Sequence, residues 1–208
     1  MTALARETAT PPSDLDEALW LAWRAAVEKL PEGFHAEIIE GNIEVSSTGR
    51  FSHGETANVL RDALVVFLAG SGYAARQDMN VVHGRKVSIP DLFIAPKDAR
   101  EHVTEDGIGI MASGVELVVE VVSPGHDSVS RDRIRKRRAY ARAGIPVYLL
   151  IDDHDDRGTV TVLSSPDPEK AVYDDEVRAA YGTAVTIPTG PAKGFTVDES
   201  ITGAPRGG

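Results

Sequence analysis

Apolar and polar residues follow two periods along this chain, and the places where the period changes mark the predicted elements. Leu15, Leu19, Trp23, Ala26 and Leu30 return at helical spacing. Residues 13–30 therefore read as a helix, with Ser13 placed to cap it and Pro31 to stop it. Residues 34–46 hold two short Ile/Val runs on either side of Gly41-Asn42, a hairpin signal. Ser52 followed by Glu55 has the form of a capping box, and Ala57, Leu60, Leu64, Phe67 and Leu68 then make one stripe. That stripe predicts a helix over 53–69, ended by Gly70. Residues 73–82 and 86–94 read as strands around a turn at Gly84, and 97–113 as a charged loop. The run VELVVEVV at 115–122 is the most strand-like in the chain. A helix over 127–143, ended by Gly144, and an apolar strand over 147–151 come next. Strand, helix, strand in that order predicts a βαβ-like unit in a mixed sheet. Further strands are expected at 159–163 and 185–187.

The fold class is thus α/β, or α+β: a mixed sheet flanked by helices, preceded by an N-terminal helix and a β-hairpin. At 208 residues the chain makes one domain. It is expected over 13–200, with disordered tails at 1–12 and 201–208.

The helix over 127–143 carries the most information. Wound at 100° per residue, it places Val129, Asp132, Lys136, Ala139, Tyr140 and Ala143 on one face. The arginines 131, 133, 135, 137, 138 and 142 fall elsewhere, with Ile134 among them. An ammonium buried without a partner is costly, so Lys136 should meet carboxylates inside. The plainer readings are a stem that packs while its head reaches water, or an Asp132–Lys136 pair one turn apart. Residues 131–142 carry a net charge of +6 in a chain of −10. Such a face is either solvated or a contact surface for backbone phosphates.

Two acidic residues interrupt apolar strands: Asp91, after Pro90, and Glu120, between Val119 and Val121. A carboxylate in a buried strand must neutralise or find a cation. With Lys136 they make a candidate Mg²⁺ site with an adjacent cation. Glu37, His53 and Asp132 are secondary candidates. His53 opens its helix and could orient a phosphate or a water, or simply sit in the capping region. Glu37 could join the cluster or point outward from the hairpin. The acidic run 152–156 reads as an exposed turn.

Composition narrows the chemistry. There is no cysteine, which removes disulfides, thiolate zinc sites and a cysteine nucleophile together. Any metal would sit on oxygen or imidazole, which favours Mg²⁺ or Mn²⁺. No apolar run is long enough to span a membrane, nor does the N-terminus read as a signal peptide. A cytoplasmic location is the expectation. No phosphate-cradling glycine loop or serine-nucleophile elbow is present.

Ile89-Pro90-Asp91-Leu92, then 117–124 (LVVEVVSP), then Asp132, Lys136 and Tyr140 at spacings of four, Gly144, and 148–152 (YLLID) together resemble the Uma-type (Uma-two) family of bacterial proteins assigned as endonucleases. Glu37-Ile38-Ile39-Glu40-Gly41 and Ser52-His53 resemble that family's entry hairpin and first core helix. The resemblance spans about residues 15–165. It implies the PD-(D/E)XK, restriction-endonuclease-like superfamily: a mixed sheet flanked by helices, cutting nucleic acid with Mg²⁺. Asp91 then matches the metal-binding Asp and Glu120 the metal-binding Glu, with the carbonyl of Val121 as a further ligand. The superfamily's usual lysine position, two after Glu120, is Val122 here. Lys136 takes its place from the next helix. The implied function is Mg²⁺- or Mn²⁺-dependent endonuclease action on DNA, with Asp91, Glu120 and Lys136 catalytic. Arg131, Arg135, Arg138 and Arg142 would lie on backbone phosphates, and a homodimer is compatible with this reading. The alternative is a non-catalytic nucleic-acid-binding or regulatory module that keeps the nuclease fold.

Overall fold

The computed structural model describes residues 13–47 and 49–204. The predicted tail at 1–12 and the end of the tail at 205–208 lie outside the described residues. Helix α1 (Asp14–Val27) starts on the predicted cap: Ser13 and Asp16 form a reciprocal capping box. Its buried face is set by Trp20 and Trp23, whereas Leu15 is exposed. Trp23 Nε1 donates to the carbonyl of Ala36 (2.8 Å), which ties α1 to the hairpin of β1 (Phe34–Ile39) and β2 (Asn42–Ser47). The turn is Glu40-Gly41, both at positive φ, rather than Gly41-Asn42. Glu40 holds a left-handed conformation there that costs a non-glycine residue energy.

Helix α2 (Phe51–Phe67) begins two residues before the predicted start. Arg50 is the N-cap residue and no side chain caps the helix, so the expected Ser52–Glu55 box is absent. Its inward stripe is as predicted at Ala57, Leu60, Leu64 and Leu68, but Phe67 is half-exposed.

The two regions read as continuous strands each break in two. The first gives β3 (Tyr73–Arg76) and β4 (Asn80–His83), the second β5 (Lys86–Ser88) and β6 (Leu92–Pro96). Both breaks have the same cause: the chain leaves one sheet and joins another. Strand β7 (Gly109–Met111) lies within the expected loop. A five-stranded sheet runs β2-β1-β5-β4-β7. A six-stranded sheet contains β3, β6, β8 (Leu117–Val121), β9 (Val147–Asp152), β10 (Thr159–Asp167) and β11 (Val172–Ala180), in the order β11-β10-β9-β8-β6-β3. At the second crossing Pro90 has no N–H to give to a ladder. Ile89-Pro90-Asp91 therefore bridges the two sheets.

In the larger sheet β8 pairs antiparallel with β6 and parallel with β9, so the sheet is mixed. The predicted βαβ-like unit is β8, a helix and β9. Side chains alternate across the sheet as the pleat requires. Leu92, Ile94, Leu117, Val119 and Val121 face α2, whereas Phe93, Ala95, Val118 and Val122 face the other helix. The small pair β12 (Val185–Thr186) and β13 (Thr196–Val197) and the turn α5 (Glu199–Thr202) close the α2 side. Ile201 and Thr202 are buried, so ordered packing runs past residue 200.

The helix over 126–142 is not uniform. It comprises α3 (His126–Ser130), a π-helical segment Arg131–Lys136 and α4 (Arg137–Arg142). A π turn takes up one more residue than an α turn. Residues four apart therefore stay in register, and Asp132, Lys136 and Tyr140 all face inward and are buried. Among the described residues no helix is long and apolar enough to cross a membrane.

Candidate active site

Carried one residue back from the start of β6, the register with β8 sets Asp91 opposite Glu120 on the same face of the sheet. Both line a cavity of about 1140 Å³ at the junction of the two sheets. Asp91 Oδ2 accepts from the backbone N–H of Val121 (2.7 Å), and Oδ1 lies 2.9 Å from His53 Nε2. In a strand the N–H and C=O of one residue point to the same side, so the Val121 carbonyl is turned toward Asp91 as well. His53 Nδ1 lies 3.2 Å from Ser123 Oγ, which fixes the ring from both ends. Burial draws the His53 pKa down. The hydrogen bond that the ring donates to Asp91 and the charges of Asp91 and Asp132 outweigh it, and the net shift is upward.

Glu120 is buried at the centre of β8. Its Oε1 accepts from Lys136 Nζ (2.9 Å) and from the Tyr140 hydroxyl. Lys136 Nζ also contacts Glu37 Oε1 (2.9 Å) and the Ile89 carbonyl (3.3 Å). Glu37 reaches the site from β1 and accepts from the Ile89 N–H at 2.6 Å. It points inward, against the outward alternative. The ammonium is thus held between two buried carboxylates, one from each sheet. Burial alone would drive the Lys136 pKa down, but Glu120, Glu37 and Asp132 hold it above the ordinary range, so it stays charged. Burial pushes the Glu120 carboxyl well up, opposed by Lys136 and reinforced by Asp91, Asp132 and Glu37.

Asp132 is buried but does not line the cavity. It pairs with Arg131 (2.9 Å). Burial raises its pKa, with Lys136 and Arg131 opposing.

The arginine face is paired with carboxylates along its length. Arg135 meets Glu44, Arg138 and Arg142 meet Glu40, Arg133 meets Asp152 and Arg137 meets Glu176. Of the four arginines assigned to phosphate contact, Arg131 and Arg135 line the cavity, whereas Arg138 and Arg142 do not. Sequence reasoning missed Arg50. It lines the cavity and makes no ion pair among the described residues. No local pattern marks it. The acidic run also differs from expectation, because Asp152 is buried at the end of β9, held by Arg133 and the His154 N–H.

His53 gives a pH signature. Its folded pKa lies above the ordinary 6.5, so its contribution to stability is present below that value and is lost as pH rises through the folded pKa. In metal-free protein, thermal melts of wild type and His53→Gln should differ most below pH 6.5 and converge as the pH rises through the raised folded-state value. A difference independent of pH would show that His53 is neutral throughout.

A mixed six-stranded sheet covered by helices, with a second sheet packed at the ends of its central strands, is the restriction-endonuclease-like fold, and the carboxylates collect at that junction. A family model described as "Uma2: Putative restriction endonuclease" matches residues 23–188. The chain belongs to this family, and that membership supports a nuclease. The crystal structure of a "putative nuclease belonging to DUF820" from Anabaena variabilis is similar over 92% of this chain and 98% of that one. The TM-score is 0.62 at 19% identity, a likeness of fold. No curated protein matches.

Proposed function

We propose that the protein is a metal-dependent endonuclease that hydrolyses phosphodiester bonds in DNA. One observation carries this reading. Asp91 and Glu120 stand opposite one another on one face of the sheet, on the wall of a cavity that Lys136 also lines. The donors suit a hard ion, since Asp91, Glu120 and the Val121 carbonyl offer only oxygen. Among the described residues no three His, Asp or Glu side chains converge into a closed metal cage. Mg²⁺ usually takes one or two carboxylates and completes its shell with water and phosphate oxygens.

Bound there, Mg²⁺ would polarise the scissile phosphate and lower the pKa of a coordinated water. The protein's own groups do the rest. The Val121 N–H and His53 fix the Asp91 carboxylate. Tyr140 and Lys136 fix Glu120. The Lys136 ammonium, already desolvated and oriented, stabilises negative charge developing on the phosphate. Arg50, Arg131 and Arg135 on the cavity wall hold neighbouring phosphates.

The test is direct. Purified protein should nick or cut plasmid DNA with Mg²⁺ or Mn²⁺ and lose that activity in EDTA. Mn²⁺ binding without any cleavage would leave the non-catalytic binding module. No divalent-ion binding at all would defeat the metal reading.

The cations can be ranked. Arg50→Ala should flatten the dependence of log affinity on log salt by about 0.9, one phosphate contact's worth. The double variant Arg138→Ala, Arg142→Ala should leave the slope unchanged, because those guanidiniums lie outside the cavity. The reverse order would place the DNA on the outer face of the helix.

A further inference from the structure

A second cleft of about 530 Å³ lies beside the main cavity and shares three walls with it, His35, Asp78 and Ile89. Its position follows from the fold, because both sheet-to-sheet crossings border it: residues 77–79 on one side and Ile89 on the other. Its character differs from the main cavity. Met79, Val103, Ile108 and Ile110 make its walls largely apolar.

The cleft also offers an unspent hydrogen-bonding group. Arg76 is fixed on its wall by bonds from its terminal nitrogen to the carbonyls of Pro96 and Lys97 (3.0 Å each), and its Nε is buried out of a ligand's reach. Asn80 spends its Nδ2 on the Ile108 carbonyl (2.7 Å), and its Oδ1 makes no hydrogen bond among the described residues. An apolar slot with one idle acceptor matches a nucleobase, which has two apolar faces and an edge that carries donors. The volume falls within the range of small-molecule sites. Lys97, also on the lining, adds positive charge suited to the attached phosphate, whereas Arg100 is paired with Asp98 (2.6 Å).

We propose that this cleft takes an unstacked DNA base next to the phosphodiester held in the main cavity. The proposal rests on the nuclease reading and names its substrate class: DNA with an unpaired nucleotide at the cut, meaning single strands or distorted duplex. The Ile89 segment ties the two sites together, since its carbonyl accepts from Lys136 while the same residue walls the second cleft. A base in a regular duplex must unstack to enter, at a cost of a few kcal/mol. A single strand avoids most of that cost.

The probe is a single-stranded DNA dodecamer carrying one 2-aminopurine, compared with its duplex, both in EDTA. Wild type should bind the single strand about tenfold more tightly or better, with a rise in 2-aminopurine fluorescence. Val103→Trp fills the cleft from a half-exposed position and touches none of the proposed catalytic groups. It should remove both the preference and the fluorescence change and leave duplex affinity unchanged. Met79→Ala, which strips one apolar wall, should act in the same direction if Val103→Trp lowers the melting temperature. The proposal is overturned if folded Val103→Trp and Met79→Ala both keep wild-type single-strand affinity and signal. Cleavage with Mg²⁺, measured separately, distinguishes the two failures. A DNA-cutting enzyme indifferent to both substitutions loses the base site and keeps the nuclease reading. A protein that binds the probe through this cleft but never cuts does the reverse.

Discussion

Asp91→Asn is expected to lower Mg²⁺-dependent DNA cleavage by about 10³-fold or more, the equivalent of roughly 4 kcal/mol of transition-state stabilisation. The substitution keeps the shape of the side chain and removes its charge. It also exchanges one acceptor oxygen for a donor, which must then face either the Val121 N–H or His53. The fold should lose about 1–3 kcal/mol, the scale of one hydrogen bond to a charged group. Chemical denaturation gives the stability term, and single-turnover cleavage well below the melting temperature gives the rate. Glu120→Gln should show the same loss of rate. Cleavage at the wild-type rate in both variants would place the metal elsewhere.

Lys136→Met is expected to do two separable things. It leaves Glu37 and Glu120 buried without their shared cation, and breaking a buried pair in this way costs about 3–5 kcal/mol. It also removes the oriented ammonium, for a loss of about 10²–10³ in rate. Adding Glu37→Gln to Lys136→Met removes one of the stranded charges. The double variant should recover much of the stability and none of the rate. If stability and rate return together, Lys136 is a structural cation. Lys136→Arg should not substitute fully, since a guanidinium is broader than an ammonium and the site is built around a point charge.

The sequence disclosed those parts of the site that obey a local period. Lys136 stood out because the helical wheel put a lysine on a small, apolar face, and Asp91 and Glu120 because acids interrupted runs of Val and Ile. Tyr140 lay on the same face, but its bond to Glu120 depends on the π turn, which no propensity marks. Glu37 was ambiguous, because alternation along β1 assigns a face to a side chain without saying what covers that face. The break at Ile89-Pro90-Asp91 was visible as a proline. That the halves join different sheets is a tertiary fact. The arginine pairs with Glu40 and Glu44 join positions 91–102 residues apart, beyond the reach of any local pattern. Strand β11 went unread because its outward positions carry Asp174, Glu176 and Arg178, the charges that protect a sheet edge.

The hairpin and the arginine helix meet through charge. Glu37 with Lys136, Glu40 with Arg138 and Arg142, and Glu44 with Arg135 form the seam between them, while the apolar side of the hairpin sheet packs against α1. Three of these four links reach solvent, and at about 0.1 M salt charges are screened over roughly 10 Å. Ionic strength therefore acts on this molecule twice. Under the proposed function it would weaken the pull on DNA phosphates, and it weakens the ion pairs that join the hairpin to the helix carrying Lys136. Salt is then a structural variable as well as a competitor: the same ions that loosen a ligand also loosen the seam beside the cavity.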